Sequence, residues 1–417
     1  MIIGDISSTW RFSFWFCAIL PIYGAICVFF SRLIRNCLKI SRWNRWYVTG
    51  GVILVLFISK TLWVSWACYG QGEIETEKDD LLQRRDYLAT KLIQRPQDVI
   101  EELPSIIGEQ FQGEWALYSC SMFSQALVNL SKLYPETKEE NLKMIDSLIT
   151  IVKSEELRCY DSMRWEEDAM QALGHSTGHI SYYSHLAWMI GGYKSIGGGS
   201  RYDELYDKLC EAMSKNIRNS KIMNLPTYPG EFIYVPDMLV AIVALKQHGK
   251  KYDTLVKDWI KKAKAEWCDK ETGLLSSFLA EKTGGQCGAP IKGSYSALNC
   301  YYLTLIDKTF AEDQYDKLKK TFWQEGIFPG MKEYQNRHLW FWLDVDAGPI
   351  MFGLSPSGTA FATGAATYFA DKKAKADILR TAETAGFTYC WNGKRHYMLA
   401  NIALVGESIM LAMRTNY

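Results

Sequence analysis

Pro236-Asp237-Met238-Leu239-Val240-Ala241-Ile242-Val243-Ala244-Leu245 is apolar around a single carboxylate. A few residues later, Asp253-Thr254-Leu255-Val256-Lys257-Asp258-Trp259-Ile260-Lys261-Lys262 splits into an apolar and a charged face. A helix that is apolar all round belongs in an interior, and one with a single apolar stripe lies against it. The pair reads as an inner helix followed by an outer one. The same alternation recurs along the chain as hairpins at 115–133 and 138–157, 177–193 and 201–219, 235–248 and 251–267, 294–308 and 311–324, and 356–370 and 372–386. The spacing is about sixty residues, with Gly and Pro marking the loops. A helix over 81–103 and another over 399–414 are left at the two ends. If they pair, six hairpins close an all-α (α/α)6 toroid.

In such a ring the long loops at 158–176, 220–235, 268–293 and 325–355 lead into inner helices and gather at one rim. Loops on a rigid scaffold are where binding and catalytic groups concentrate, and a concave mouth is a natural ligand site. The chain has 417 residues, 48% of them apolar, and a net charge of +1, which argues against a nucleic-acid partner.

The N-terminal part differs from the rest. Phe12 to Phe30 is almost free of charge, and Val48 to Tyr69 contains only Lys60. Both are long enough to cross a bilayer, and the first reads better as a span than as a signal peptide, since no small-x-small cleavage site follows it. Between them stand Arg32, Arg35, Lys39, Arg42 and Arg45 with no acidic residue. The expectation is a two-helix transmembrane anchor over 1–71, two-pass in the inner (cytoplasmic) membrane with the basic connection inside, and a periplasmic catalytic-type domain over 72–417. The lipid bilayer is then a partner. The eleven cysteines form neither a disulfide framework nor metal spacing, although Cys268 and Cys287 flank a Gly-rich loop that a bridge would close.

Several clusters carry chemistry. Trp340-Phe341-Trp342-Leu343-Asp344-Val345-Asp346-Ala347-Gly348-Pro349 puts two carboxylates on one side of an extended segment beside aromatics. Tyr182-Tyr183-Ser184-His185 places a histidine among hydroxyls. Tyr228-Pro229-Gly230-Glu231-Phe232-Ile233-Tyr234-Val235-Pro236-Asp237 ends where an inner helix begins, and Glu231 sits amid aromatics that would desolvate it and raise its pKa. Asp237 is also in the place of a helix N-cap. Tyr295, Asn299 and Tyr302 share one face of the helix that starts near 294. No phosphate loop, HExxH, GxSxG or dinucleotide fingerprint is present. Acid–base chemistry with no metal and no cofactor is the expectation.

Tyr182-Tyr183-Ser184-His185-Leu186, followed by the 228–237 segment, resembles the linalool dehydratase/isomerase family over roughly residues 110–370. That resemblance implies an α/α toroid with a pocket around His185, Tyr228 and Asp237. The family's pair of cysteines is absent, with Tyr228 and Asp237 in their places, so its substrate does not carry over. The expected function is a lyase or isomerase acting on a hydroxylated small molecule, with Asp237 and His185 moving protons. Tyr183, Tyr228, Tyr295, Asn299 and Trp342 would bind the substrate, and Asp344 or Asp346 would stabilise positive charge. A glycoside hydrolase using Glu231 or Asp237 with Asp344, or a non-catalytic glycan- or partner-binding protein, are the alternatives.

Overall fold

Helix patterning and capping together set the elements. In Asp253–Lys262 the buried residues Leu255, Val256, Trp259 and Ile260 form one stripe, whereas Val235–His248 is buried on all sides from Val235 to Leu245. Ser154, Asp307, Ser355 and Asp371 each cap a following helix by accepting a backbone N–H with the side chain. The computed structural model describes residues 45–67, 74–103, 109–335, 341–344, 347–401 and 403–417, with a few positions between 28 and 36.

Glu109–Leu133 packs on Ile180–Ser195, which packs on Val235–His248, then Gly293–Thr304, Pro356–Tyr368 and Leu404–Arg414, and the last returns to Glu109–Leu133. These six helices form a closed inner ring. Lys138–Val152, Asp203–Asn219, Asp253–Lys262, Lys308–Phe322 and Lys372–Gly386 lie outside it, each against the inner helix before it in the chain. The sixth outer helix is Ile74–Leu92, which comes first in the chain and packs on the last inner helix. It begins and ends before the expected 81–103, because Arg95-Pro96 starts a separate short helix, Pro96–Glu101. The final helix begins at Leu404 rather than 399, after a β-hairpin pairing Thr388–Trp391 with Lys394–Tyr397.

Asn416 donates to the Thr304 hydroxyl at 3.1 Å and the Gly364 carbonyl at 3.0 Å, and Lys246 donates to the Ile306 carbonyl. C-terminal ends of the inner helices therefore meet at one face. Their N-terminal turns open at the other, where Ile233–Tyr234 pairs with Phe278–Leu279 to tie two rim loops together.

Among the described residues no helix is long and apolar enough to cross a membrane. This overturns the two-span anchor and, with it, the two-pass inner-membrane and periplasmic placement; the bilayer loses the feature that made it an expected partner. Nearly all of the first apolar run lies outside the described residues. The second forms the helix Arg45–Ala67, with Thr49-Gly50-Gly51 near its start and Ser59-Lys60-Thr61 past its middle. It rests on Lys372–Gly386, and Phe57 meets Phe328 edge-on at 5.8 Å. One side of it thus rests on protein, while Ile53 to Ile58 stay exposed.

The ring is closed by buried charge. Arg84 pairs with Glu407 at 2.6 Å and Asp80 at 3.0 Å, and donates to the Thr388 hydroxyl at 2.8 Å. Arg414 reaches Asp80 at 2.6 Å, and Lys375 reaches Glu77 at 3.0 Å. Removing one partner of a buried pair strands the other. Glu407→Ala is expected to cost about 3–5 kcal/mol in urea unfolding. A loss under about 1 kcal/mol, the range of an exposed pair, would contradict this role.

Candidate active site

Side chains from three inner helices meet inside the ring. Tyr118 of Glu109–Leu133 faces Tyr302 of Gly293–Thr304, and Trp188 of Ile180–Ser195 meets Tyr302 edge-on at 5.6 Å. Above them, toward the N-terminal turns, lie two carboxyls. Asp237 projects from the first turn of Val235–His248 and accepts from the Thr227 hydroxyl at 2.8 Å. The Ser181 hydroxyl leans toward it without closing a full hydrogen bond. Glu114, in the second turn of Glu109–Leu133, lies beside the Tyr228 hydroxyl. Gly113 lets this helix come close to Tyr160, since a Cβ there would stand 2.7 Å from the Tyr160 Cβ.

Burial pushes the Glu114 carboxyl up to about 7, and the nearby Asp237 pushes in the same direction; Arg164 and Tyr228 oppose them. Burial likewise raises Asp237 to about 6, against the hydroxyls of Thr227 and Ser181. Two coupled carboxyls near neutrality can hold one proton between them, which is the requirement for an acid and a base in one site. Arg164 stacks on the Tyr228 ring at 4.1 Å and bonds Glu231 at 3.1 Å, adding positive charge at the edge.

Behind the site, His179 takes a left-handed backbone at φ 64° where Ile180–Ser195 begins. Its Nδ1 bonds Asp161 at 2.6 Å and its Nε2 bonds Glu167 at 3.2 Å. This buried bridge fixes the start of the helix that carries Ser181 and His185.

The structure brings together Asp237, Tyr228 and the unexpected Glu114, with Glu231 at the margin. Glu231 is exposed and salt-bridged to Arg164, so the desolvation expected for it falls on Glu114 instead. His185 is fully buried one turn deeper, and burial lowers its imidazole to about 3. The ring is therefore neutral at physiological pH, with no acidic proton to give and a lone pair that can accept one. Tyr183 points away from the axis and donates to the Ala169 carbonyl at 2.6 Å. Tyr295 donates to the Tyr234 hydroxyl at 3.2 Å within an aromatic rim that includes Phe278. Asn299 donates its Nδ2 to the Leu275 carbonyl at 3.2 Å, which secures the 268–293 loop, while its buried Oδ1 meets no hydrogen-bond donor.

Asp344 belongs to a separate cluster. Lys292 holds both its oxygens at 3.0 and 3.1 Å, and Tyr334 donates at 2.7 Å. Burial pushes this carboxyl up, but those hydrogen bonds and the Ala347 N–H outweigh it and bring it below the ordinary range. Asp346 lies outside the described residues. Trp342 is half exposed on the hairpin Phe341–Asp344/Gly348–Met351. The Cys268 and Cys287 thiols are both free.

No family model matches the chain, and no curated protein matches it.

Glu114 also makes a stability prediction. Its folded pKa of about 7 lies above the ordinary 4.5, so its contribution is fully present below about pH 4.5 and is lost as pH rises through 7. Glu114→Gln is therefore expected to stabilise the protein at pH 8 by up to about 3 kcal/mol and to leave it unchanged at pH 4. A gain of equal size at both pH values in urea unfolding would contradict the assignment.

Proposed function

We propose that this chain is an acid–base enzyme acting on a neutral hydroxylated small molecule at the mouth of the ring, by elimination or migration of a hydroxyl. The observation that carries the reading is the pair of carboxyls, half-buried Glu114 at about 7 and buried Asp237 at about 6. Protonated Glu114 would give its proton to the departing hydroxyl, which leaves as water. Ionised Asp237 would take the proton from the neighbouring carbon, whose C–H electrons form the new double bond. Tyr228 and Arg164 would orient the hydroxyl, and the rim of Tyr234, Phe278 and Tyr295 would cover the apolar body. The resemblance to the linalool dehydratase/isomerase family supports a reaction of this kind, although that family's paired cysteines are replaced here.

One feature favours a second reading. Phe232, Phe341 and Trp342 are exposed, and exposed aromatic faces suit stacking on sugars. A glycoside hydrolase would use the same pair, with Glu114 as the acid and Asp237 as the second carboxylate.

The test is turnover of a panel of alcohols and aryl glycosides by the wild-type chain, Glu114→Gln and Asp237→Asn. Alkene formation from an alcohol, falling about 10²–10⁴-fold in each variant, is the expected result. The pH profile should be bell-shaped, with limbs belonging to the pair. Sugar release from a glycoside would move the assignment to hydrolysis, and activity unchanged in both variants would reject the site.

A further inference from the structure

Beneath the carboxyl pair the ring axis carries two buried polar atoms that nothing in the protein satisfies. His185 Nε2 has no hydrogen-bond partner, and neither does Trp188 Nε1, although both residues are essentially fully buried. They stand three residues apart on one helix, with rings 6.2 Å apart. Orphaned buried groups destabilise a fold, so two of them kept on one helix call for a partner.

The neighbouring hydrogen bonds point to what each atom offers. Ser121 Oγ lies 2.7 Å from His185 Nδ1 and donates its own hydrogen to the Tyr118 carbonyl at 3.1 Å. With that hydrogen committed, Ser121 accepts from Nδ1–H, and Nε2 is left as a bare lone pair. Trp188 Nε1–H can only donate. One acceptor and one donor together match a neutral hydroxyl, which gives its hydrogen to Nε2 and takes one from the indole. A carbonyl or ether would leave Nε2 unsatisfied, and an ammonium would leave the indole unsatisfied.

The location suits the far end of a bound molecule. Tyr118 packs on His185 with ring centroids 4.4 Å apart, and it is only partly buried, so it separates the floor from the mouth. The charge of Asp237 is felt at both Tyr118 and Tyr302, so the floor lies close beneath the reacting carboxyls.

We propose that His185 Nε2 and Trp188 Nε1 form a hydroxyl-recognition subsite at the floor of the ring. The substrate then carries a hydroxyl at the end remote from the carboxyl pair, or enters hydroxyl-first. This rests on the proposed function only in placing the substrate on the ring axis; the subsite itself follows from the orphaned atoms.

The test uses the full chain labelled with ¹⁵N-histidine, with the His185 signals assigned by loss in His185→Gln. Cyclohexanol, cyclohexane-1,4-diol and their methyl ethers are the probes. Free protein should show His185 neutral with its proton on Nδ1. An alcohol should move the Nε2 resonance and bind at least about tenfold more tightly than its ether. Trp188→Phe, which keeps the aromatic packing, should abolish most of that preference, whereas Glu114→Gln should retain it. A proton on Nε2 in the free protein overturns the proposal. So does the absence of an Nε2 shift with either alcohol, equal affinity for alcohol and ether, or an undiminished preference in Trp188→Phe. Preserved alcohol preference with no turnover of any panel substrate would defeat the acid–base reading and leave the floor subsite standing.

Discussion

The ring depends on one pairing that the chain must make across its whole length. The outer helix Ile74–Leu92 has to meet the last inner helix, Leu404–Arg414, and the contact is made through buried charge: Arg84 with Glu407, Arg414 with Asp80, and Lys375 with Glu77. Such pairs contribute little net stability compared with apolar packing, but they punish any other register because a shifted helix would strand a charge. The guanidinium of Arg84 also lies 4.2 Å over the Tyr397 ring, and Tyr397 N–H donates to Glu407 at 2.9 Å, so the preceding hairpin is fixed by the same residues. Closure is what makes six separate inner helices point the same way.

Once the helices are parallel, their N-terminal turns share a mouth, and side chains remote in sequence become neighbours. Glu114 and Asp237 are more than a hundred residues apart, yet the charge of Asp237 raises the proton affinity of Glu114, and burial raises both. Burying two carboxyls is a cost the ring carries above neutral pH, when both would ionise. Structural carboxyls in this protein differ among themselves. Asp344 and Asp80 are each supplied with a cation, and both are held below the ordinary range, whereas burial raises Glu407, Asp161 and Glu333. Glu114 and Asp237 are set apart by their place together at the N-terminal turns of two inner helices.

Much of the helical alternation was legible in the sequence, because an inner helix such as 235–248 is apolar on every side and an outer one such as 253–262 is not. Asp237 and Tyr228 were legible because they close a rim loop. Glu114 was not: with the helix read as starting at 115, the residue looked like part of a loop, and only a start at Glu109 puts it on the inner face. A charged residue between a glycine and the apolar residues Trp115-Ala116-Leu117 was the available signal. Asp344 misled because its partner, Lys292, is 52 residues away and spacing cannot show it. Tyr183 misled because its rotation about the helix turns its hydroxyl outward to Ala169. The apolar run 48–69 misled for a plainer reason: Thr49-Gly50-Gly51 and Ser59-Lys60-Thr61 interrupt it, and the helix it forms is not apolar enough to cross a membrane although Ile53 to Ile58 are exposed.

The central claim is that Glu114 is held near neutrality partly by Asp237. The direct measurement is a site-resolved titration of the Glu114 carboxyl by ¹³C NMR in the wild-type chain and in Asp237→Asn. The account predicts a midpoint of about 7 in the wild type, with a downward shift when the Asp237 charge is removed. A Glu114 midpoint near the ordinary 4.5, unmoved by Asp237→Asn, would contradict it.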